Sequence, residues 1–162
     1  MPIEIERKFL LAATPDWNHP LLRSATVIGF EQIYLKADGA EEERIRRSRR
    51  DGVDSYHYAH LRPLSKGTRE VIEKEIDAGE YERLRLRRDP TRQIIIKDRH
   101  CFTWQGRFFE LDDIQQPVTR RCLLLEVEID RLAEEVPLPD FLRYEREVTG
   151  ETRYSNAAIA LG

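Results

Sequence analysis

From its first residues onward, apolar and charged side chains alternate along this chain. In Glu4-Ile5-Glu6-Arg7-Lys8 two acids and a lysine occupy every second position, with Ile3, Ile5 and Phe9 on or beside the other register. Side chains alternate faces along a strand, so Glu4, Glu6 and Lys8 share one face. The same rhythm recurs in Thr26 to Leu35, Glu43 to Arg49, Ser55 to Leu61, Val71 to Ile76, Gln93 to Arg99, Cys101 to Trp104, Arg107 to Leu111 and Leu123 to Ile129. Together with Ile3 to Leu11, these segments are read as strands. Asp38-Gly39 and Asp51-Gly52 are turn signals between them, and Gln105-Gly106 reads as another hairpin tip. Helical pieces are few: Pro15 to Ala25 behind Thr14, Ala78 to Arg88 behind Asp77, and Asn156 to Leu161 behind Ser155. Short helical turns are expected at Arg131 to Glu135 and Asp140 to Arg143, broken by Pro137 and Pro139. About eight strands and a few short helices predict a mainly β (α+β) chain, antiparallel and closed or nearly closed into a barrel.

The charged positions decide which way such a barrel faces. They are Glu4, Glu6 and Lys8; Arg44 and Arg46; Glu73 and Glu75; Lys97 and Arg99; Glu110 and Asp112; and Glu126, Glu128 and Asp130. For a single strand, a charged face turned to water over an apolar sandwich is the ordinary reading. Here, however, acid pairs and basic pairs segregate by strand. Like charges two apart on one strand cost energy without a partner, and a solvated surface needs no such segregation. The pattern favours an inverted barrel with a charged lumen and an apolar outside covered by helices. One wall would then collect metal and the other a polyanion. Phosphoryl transfer fits that inventory. Its catalysis is mostly positioning and charge neutralisation. Arginine grips phosphate oxygens bidentately, and magnesium or manganese takes hard carboxylate oxygens.

Composition narrows this further. The chain has 162 residues, which fits one domain over 1–162 without a linker or composition break. Charged residues make up 35%, yet the net charge is only −3, which argues against nucleic acid as a partner. Cys101 and Cys122 stand apart and form neither a zinc motif nor a disulfide framework. The start is no signal peptide and no apolar run approaches membrane-spanning length, so a soluble cytoplasmic protein without a membrane partner is expected. The run of Arg44, Arg46, Arg47, Arg49 and Arg50 reads as a strand with two inward arginines and a solvated rim rather than an RNA-binding arm. Arg83, Arg85, Arg87 and Arg88 read as a solvated helix face. His57 and His60, three apart on a strand, face opposite sides and make a poor metal pair.

These segments, taken in order, resemble the CYTH family, the triphosphate tunnel metalloenzymes. Glu4-Ile5-Glu6-Arg7-Lys8 matches its E-x-E-x-K signature. Glu43-Arg44-Ile45-Arg46 is similar to its E-x-R-x-R strand, Ile96-Lys97-Asp98-Arg99 to K-x-R, Phe109-Glu110-Leu111-Asp112 to F-E-x-D, and Leu125-Glu126-Val127-Glu128 to V-E-x-E. Glu147 to Asn156 resembles the closing E-V-T-x-D-x-x-Y-x-N segment. The matches cover nearly the whole chain.

The resemblance implies an eight-stranded antiparallel tunnel that binds triphosphate end-on with Mg2+ or Mn2+. Short bacterial members of this kind look most like inorganic tripolyphosphatases, which release pyrophosphate and phosphate. Class IV-type adenylate cyclases share the fold, and a non-catalytic polyphosphate or nucleotide sensor is the remaining alternative. Carried over by position, Glu4, Glu6, Glu126 and Glu128 would hold metal, with Asp112 nearby. Lys8, Arg44, Arg46, Lys97 and Arg99 would bind phosphates, joined by the Tyr154 hydroxyl. Lys8, Glu126 and Glu128 would act in catalysis, one of the two glutamates positioning the attacking water. The family usually carries a lysine near His60-Leu61-Arg62, so Arg62 replaces it or Lys66 reaches in. Glu151 stands where aspartate is usual, and Thr152 where a basic residue is common. The resemblance also allows a homodimer.

Overall fold

Among the described residues nine antiparallel strands form the fold: β1 (Ile3–Leu11), β2 (Thr26–Tyr34), β3 (Glu42–Arg50), β4 (Val53–Ser65), β5 (Thr68–Ile76), β6 (Ile95–Trp104), β7 (Arg107–Gln116), β8 (Cys122–Glu128) and β9 (Tyr144–Glu147). The computed structural model describes residues 3–37, 39 and 41–162, so the expected Asp38-Gly39 turn falls partly outside the described residues. Neighbours run β5-β4-β3-β2-β6-β7-β8-β1, and β5 then pairs with β1, closing an eight-stranded barrel. Strand β9 adds to β1 outside the ring. The hairpin tips at Asp51-Gly52 and Gln105-Gly106 have φ of 51° and 76°, and of 48° and 75°. Two consecutive positive φ values give the tight turn whose twist matches the flanking strands, which is why glycine takes the second place.

The barrel is inverted. On its outside, Phe9, Phe109, Leu111, Leu125 and Val127 pack under Leu142 and its partly buried neighbours Val136 and Phe141. Ile33, Ile45 and Ile76 pack under Tyr81 of helix α2 (Ala78–Arg85). Inside, Lys97 and Asp112 are 0% exposed and Arg44 is 4% exposed. At one end the lumen turns apolar. Leu10, Ile95, Ile114 and Leu124 there meet Ala157, Ile159 and Ala160 of the C-terminal segment, which corks that end.

Several local expectations are corrected. The Pro15 to Ala25 segment is helical only in α1 (Pro20–Arg23), because Pro20 holds His19 in an extended conformation and supplies no N–H. His19, not Thr14, caps it, its ring nitrogen accepting from the Leu21 amide. Helix α2 begins behind Asp77 as expected but stops at Arg85, since Leu35 then bridges Arg88 in extended pairing. Arg131 to Glu135 and Asp140 to Arg143 form turns, not helix. Helix α3 (Asn156–Ile159) is capped by Ser155 as expected, but ends before Leu161. Strand β6 runs unbroken through His100, and β9 has no alternating signature that would announce it. Glu73 and Glu75 are exposed rather than enclosed, because β5 meets β1 only at Thr68, Arg69 and Glu70. Among the described residues, no helix is long and apolar enough to cross a membrane.

Candidate functional site

Register alone brings the charged residues together. Glu6 pairs with Glu128 and Lys8 with Glu126 between β1 and β8, and Glu110 pairs with Glu126 between β7 and β8. Paired residues share a face, so these acids form one wall of the lumen. Opposite them, Gln32 pairs with Arg46 and Tyr34 with Arg44, while Phe30 pairs with Lys97 across β2 and β6. A cavity of about 380 Å3 runs between the walls, lined by Glu6, Lys8, Arg44, Arg46, Arg99 and Glu126, among others.

The cations on the basic wall fall into two groups. Lys97 Nζ donates to Asp112 Oδ2 at 2.8 Å and to Asn156 Oδ1 at 3.0 Å. Arg99 donates to both oxygens of Asp112, at 2.7 and 3.0 Å, and lies 2.9 Å from Glu110. Burial alone would raise the Asp112 carboxyl, but Lys97 and Arg99 outweigh it and hold the group far below the usual carboxylate range. Burial lowers the Lys97 ammonium to about 7 despite Asp112, with Arg99 and Arg46 adding to the effect. Asp112 therefore anchors the basic wall.

Arg44 and Arg46 form the second group. Neither meets a carboxylate in an ion pair among the described residues. Arg46 Nε donates to Gln32 Oε1 at 2.7 Å, and Arg44 Nε is buried without a hydrogen-bond partner. Burial, followed by repulsion from Arg44 and Arg99, pushes the Arg46 guanidinium down to about 9, still charged at neutral pH.

On the acid wall, Lys8 Nζ lies 3.4 Å from Glu126 and 4.0 Å from Glu6, and donates to the Tyr154 carbonyl at 3.1 Å. Burial, then the neighbouring Glu126, raises the Glu6 carboxyl to about 7, with Lys8 and Arg69 opposing. Burial and Glu4 raise Glu128 as well. Among the described residues no three acidic, histidine or cysteine side chains converge as a preformed metal cluster. Glu4 is turned toward Arg69, at 2.9 Å. The donor set nonetheless fits a hard divalent cation in its chemistry: every donor is a carboxylate oxygen, and Glu6 and Glu128 carry repulsion that a cation would relieve.

Glu6 yields a pH-dependent prediction. The folded protein holds a proton on Glu6 between about pH 4.5 and 7 that the unfolded chain releases. Its contribution to stability therefore falls as pH rises through that window, and the full cost is felt above it. In chelator, Glu6→Gln is expected to be more stable than the parent at pH 8 and to show no such gain at pH 4.5. Urea unfolding at the two pH values checks this; an equal difference at both would remove Glu6 as the origin.

Arg62 and Tyr154 sit elsewhere than the sequence pattern suggests, while Lys66 reaches in as the alternative had it. Arg62 points outward and pairs with Glu70 at 3.2 Å, since its neighbours Leu61 and Pro63 take the inward positions of β4. Lys66, at the tip between β4 and β5, lines the cavity. The Tyr154 ring lies near Arg146 and Arg153 and lines a shallower cleft, so only its carbonyl reaches Lys8. Sequence reasoning missed Arg69, which lines the cavity and bonds to Glu4. Its signal was present, because it precedes Val71 by two residues on the inward register. It also missed Asn156 as a lumen residue and Gln32 as the partner of Arg46.

No family model matches the chain, and no curated protein does. Solved structures do. The crystal structure of the inorganic triphosphatase NE1496 is 28% identical, with 98% of each chain covered and a TM-score of 0.64. The PH1819 protein from Pyrococcus horikoshii is 23% identical over 81% of each chain, with a TM-score of 0.59. The putative adenylyl cyclase HpAC1 from Hippeastrum, with a dominant triphosphatase activity, is 16% identical over 81% of this chain and 80% of its own, with a TM-score of 0.56. The last two likenesses speak for the fold.

Proposed function

We propose that this chain, which has the CYTH triphosphate tunnel fold, hydrolyses inorganic tripolyphosphate or a related triphosphate to pyrophosphate and phosphate. One observation carries the reading: Arg44, buried, and Arg46, half-buried, lie on one wall without carboxylate partners among the described residues and face carboxylates across the cavity. A buried guanidinium without a counter-charge is costly, and a polyanion supplies that charge. Arg44, Arg46 and Arg99 grip the phosphate oxygens, with Asp112 fixing Arg99, and Lys8 adds a cation beside Glu126 on the acid wall. Glu4, Glu6, Glu126 and Glu128 would hold a magnesium or manganese ion. Bound there, the ion would supply Lewis acidity and charge neutralisation. Glu126 is engaged by Lys8, which leaves Glu128, raised by burial and Glu4, to accept the proton of the attacking water. A bond forms from that water oxygen to the terminal phosphorus as the anhydride bond breaks and pyrophosphate leaves.

The test is phosphate release from tripolyphosphate, ATP and thiamine triphosphate with magnesium, manganese or excess chelator. Release from tripolyphosphate that stops in chelator is expected, and Glu128→Gln should lower it roughly 10²-fold or more. Formation of a cyclic nucleotide, or binding without turnover, would overturn the reading. The outward Arg62 and the inward Lys66 give a further comparison. Arg62→Ala should leave turnover nearly unchanged, while Lys66→Ala should cost about tenfold in kcat/KM through a lost charge-assisted contact. The reverse order would place the mouth of the site elsewhere.

A further inference from the structure

Phe30 is an aromatic ring on the charged face of β2. Its register partner across β6 is Lys97, and Arg99 and Arg46 lie diagonally on the two flanking strands. All three cations gather about it. The ring centroid is 4.9 Å from the Arg46 guanidinium, 5.1 Å from that of Arg99 and 5.7 Å from Lys97 Nζ. Asp112 serves Lys97 and Arg99, but among the described residues Arg46 has only Gln32 and this ring. Like charges at this spacing repel, and the long arginine side chain can swing toward water or an acid. An aromatic face attracts cations through its quadrupole, most strongly where water is excluded. It is also apolar and stiff, so it cannot neutralise the guanidiniums or compete as a ligand for them.

We propose that Phe30 is a positioning residue for the phosphate-binding arginines, its ring holding Arg46 and Arg99 side by side and aimed into the cavity before substrate arrives. This deepens the triphosphate reading and rests on it. A carboxylate in that place would hold the arginines too, but would cancel the charge the phosphate needs. An aliphatic residue would fill the space without holding them. Phe30 gathers the cations in the free protein, so less ordering remains to be done on binding.

The experiment measures tripolyphosphate binding by calorimetry in the full chain in excess chelator, where turnover is expected to stop, and kcat and KM with magnesium. Position 30 carries Phe, Tyr, Leu, or phenylalanine with increasing fluorination. Fluorine withdraws the charge from the ring face while nearly preserving its shape. Affinity is expected to fall stepwise with fluorination, reaching about tenfold for the most fluorinated ring. Phe30→Leu should show a similar loss, and Phe30→Tyr should keep the parent affinity. KM should rise more than kcat falls. The fluorinated series keeps the packing, so it decides the matter even if Phe30→Leu folds poorly. Equal affinity across the series, with binding by the parent intact, would overturn the role of Phe30. No binding by the parent would instead overturn the triphosphate reading on which it rests.

Discussion

Replacing Arg44 and Arg46 together by methionine should abolish most turnover and make the protein more heat-stable. Charge-assisted hydrogen bonds of this kind contribute about 1.5–3 kcal/mol each, so losing both gripping side chains should lower kcat/KM by roughly 10² to 10⁴-fold. Stability should move the other way. Both guanidiniums lie on the lumen without a carboxylate, and Arg44 Nε lacks any hydrogen bond. Apolar residues of similar volume in place of buried ionic groups are often neutral or stabilising. Freeing Gln32 Oε1 from Arg46 offsets part of that gain. A net gain of about 1 kcal/mol would raise Tm by about 2–4 °C in a chain of this size. Steady-state kinetics and scanning calorimetry on the same preparation check both halves. A double variant that melts lower and keeps its turnover would mean that these arginines are scaffold rather than site.

Asp112→Asn should do the opposite to stability while also impairing the site. The wild-type carboxylate receives three hydrogen bonds from Lys97 and Arg99, and neither it nor Lys97 is exposed at all. Asparagine keeps the volume but removes the counter-charge. Breaking a buried pair by removing one partner costs about 3–5 kcal/mol, because the surviving charge stays buried. Arg99 cannot shed its proton, so it bears the change. A loss of roughly 10 °C in Tm is expected. Excess tripolyphosphate should recover part of it, since an anion that binds only the folded form stabilises that form and also supplies the missing charge. An Asp112→Asn protein that melts with the parent, with or without ligand, would show that Asp112 does not anchor the basic wall.

The sequence reached the strands and the inward acids because one property decides both: a two-residue period assigns every side chain to a face. Glu4, Glu6 and Lys8 needed nothing more, and neither did Arg44 with Arg46 or Lys97 with Arg99. What it missed depends on partners. Alternation shows that Asp112 faces the lumen but not that Lys97 and Arg99 claim it, because that follows from which strands are neighbours. Arg62 looked inward by analogy, while the register of β4 turns Leu61 and Pro63 in and Arg62 out. Glu73 and Glu75 keep the inward register yet stay exposed, because the contact of β5 with β1 ends before it reaches them. Pro20 alone could have warned against the long helix at Pro15 to Ala25. Strand β9 could not have been foreseen, for Tyr144-Glu145-Arg146-Glu147 owes its conformation to the free edge of β1 rather than to its own pattern.

That edge also bears on how the molecule comes into being. Strand β1 lies between β8 on one side and β5 and β9 on the other, and Arg7 bonds to Glu147 across 140 residues. In synthesis β1 (Ile3–Leu11) precedes its partner β8 (Cys122–Glu128) by more than a hundred residues, so the ring cannot close until β8 has been made. Such distant pairing slows folding and leaves unpaired strand edges open to wrong partners in the meantime. The charges that equip the lumen for a polyanion then serve a second purpose. On a nascent strand, Glu4, Glu6 and Lys8 make β1 a poor template for aggregation until its own neighbours arrive.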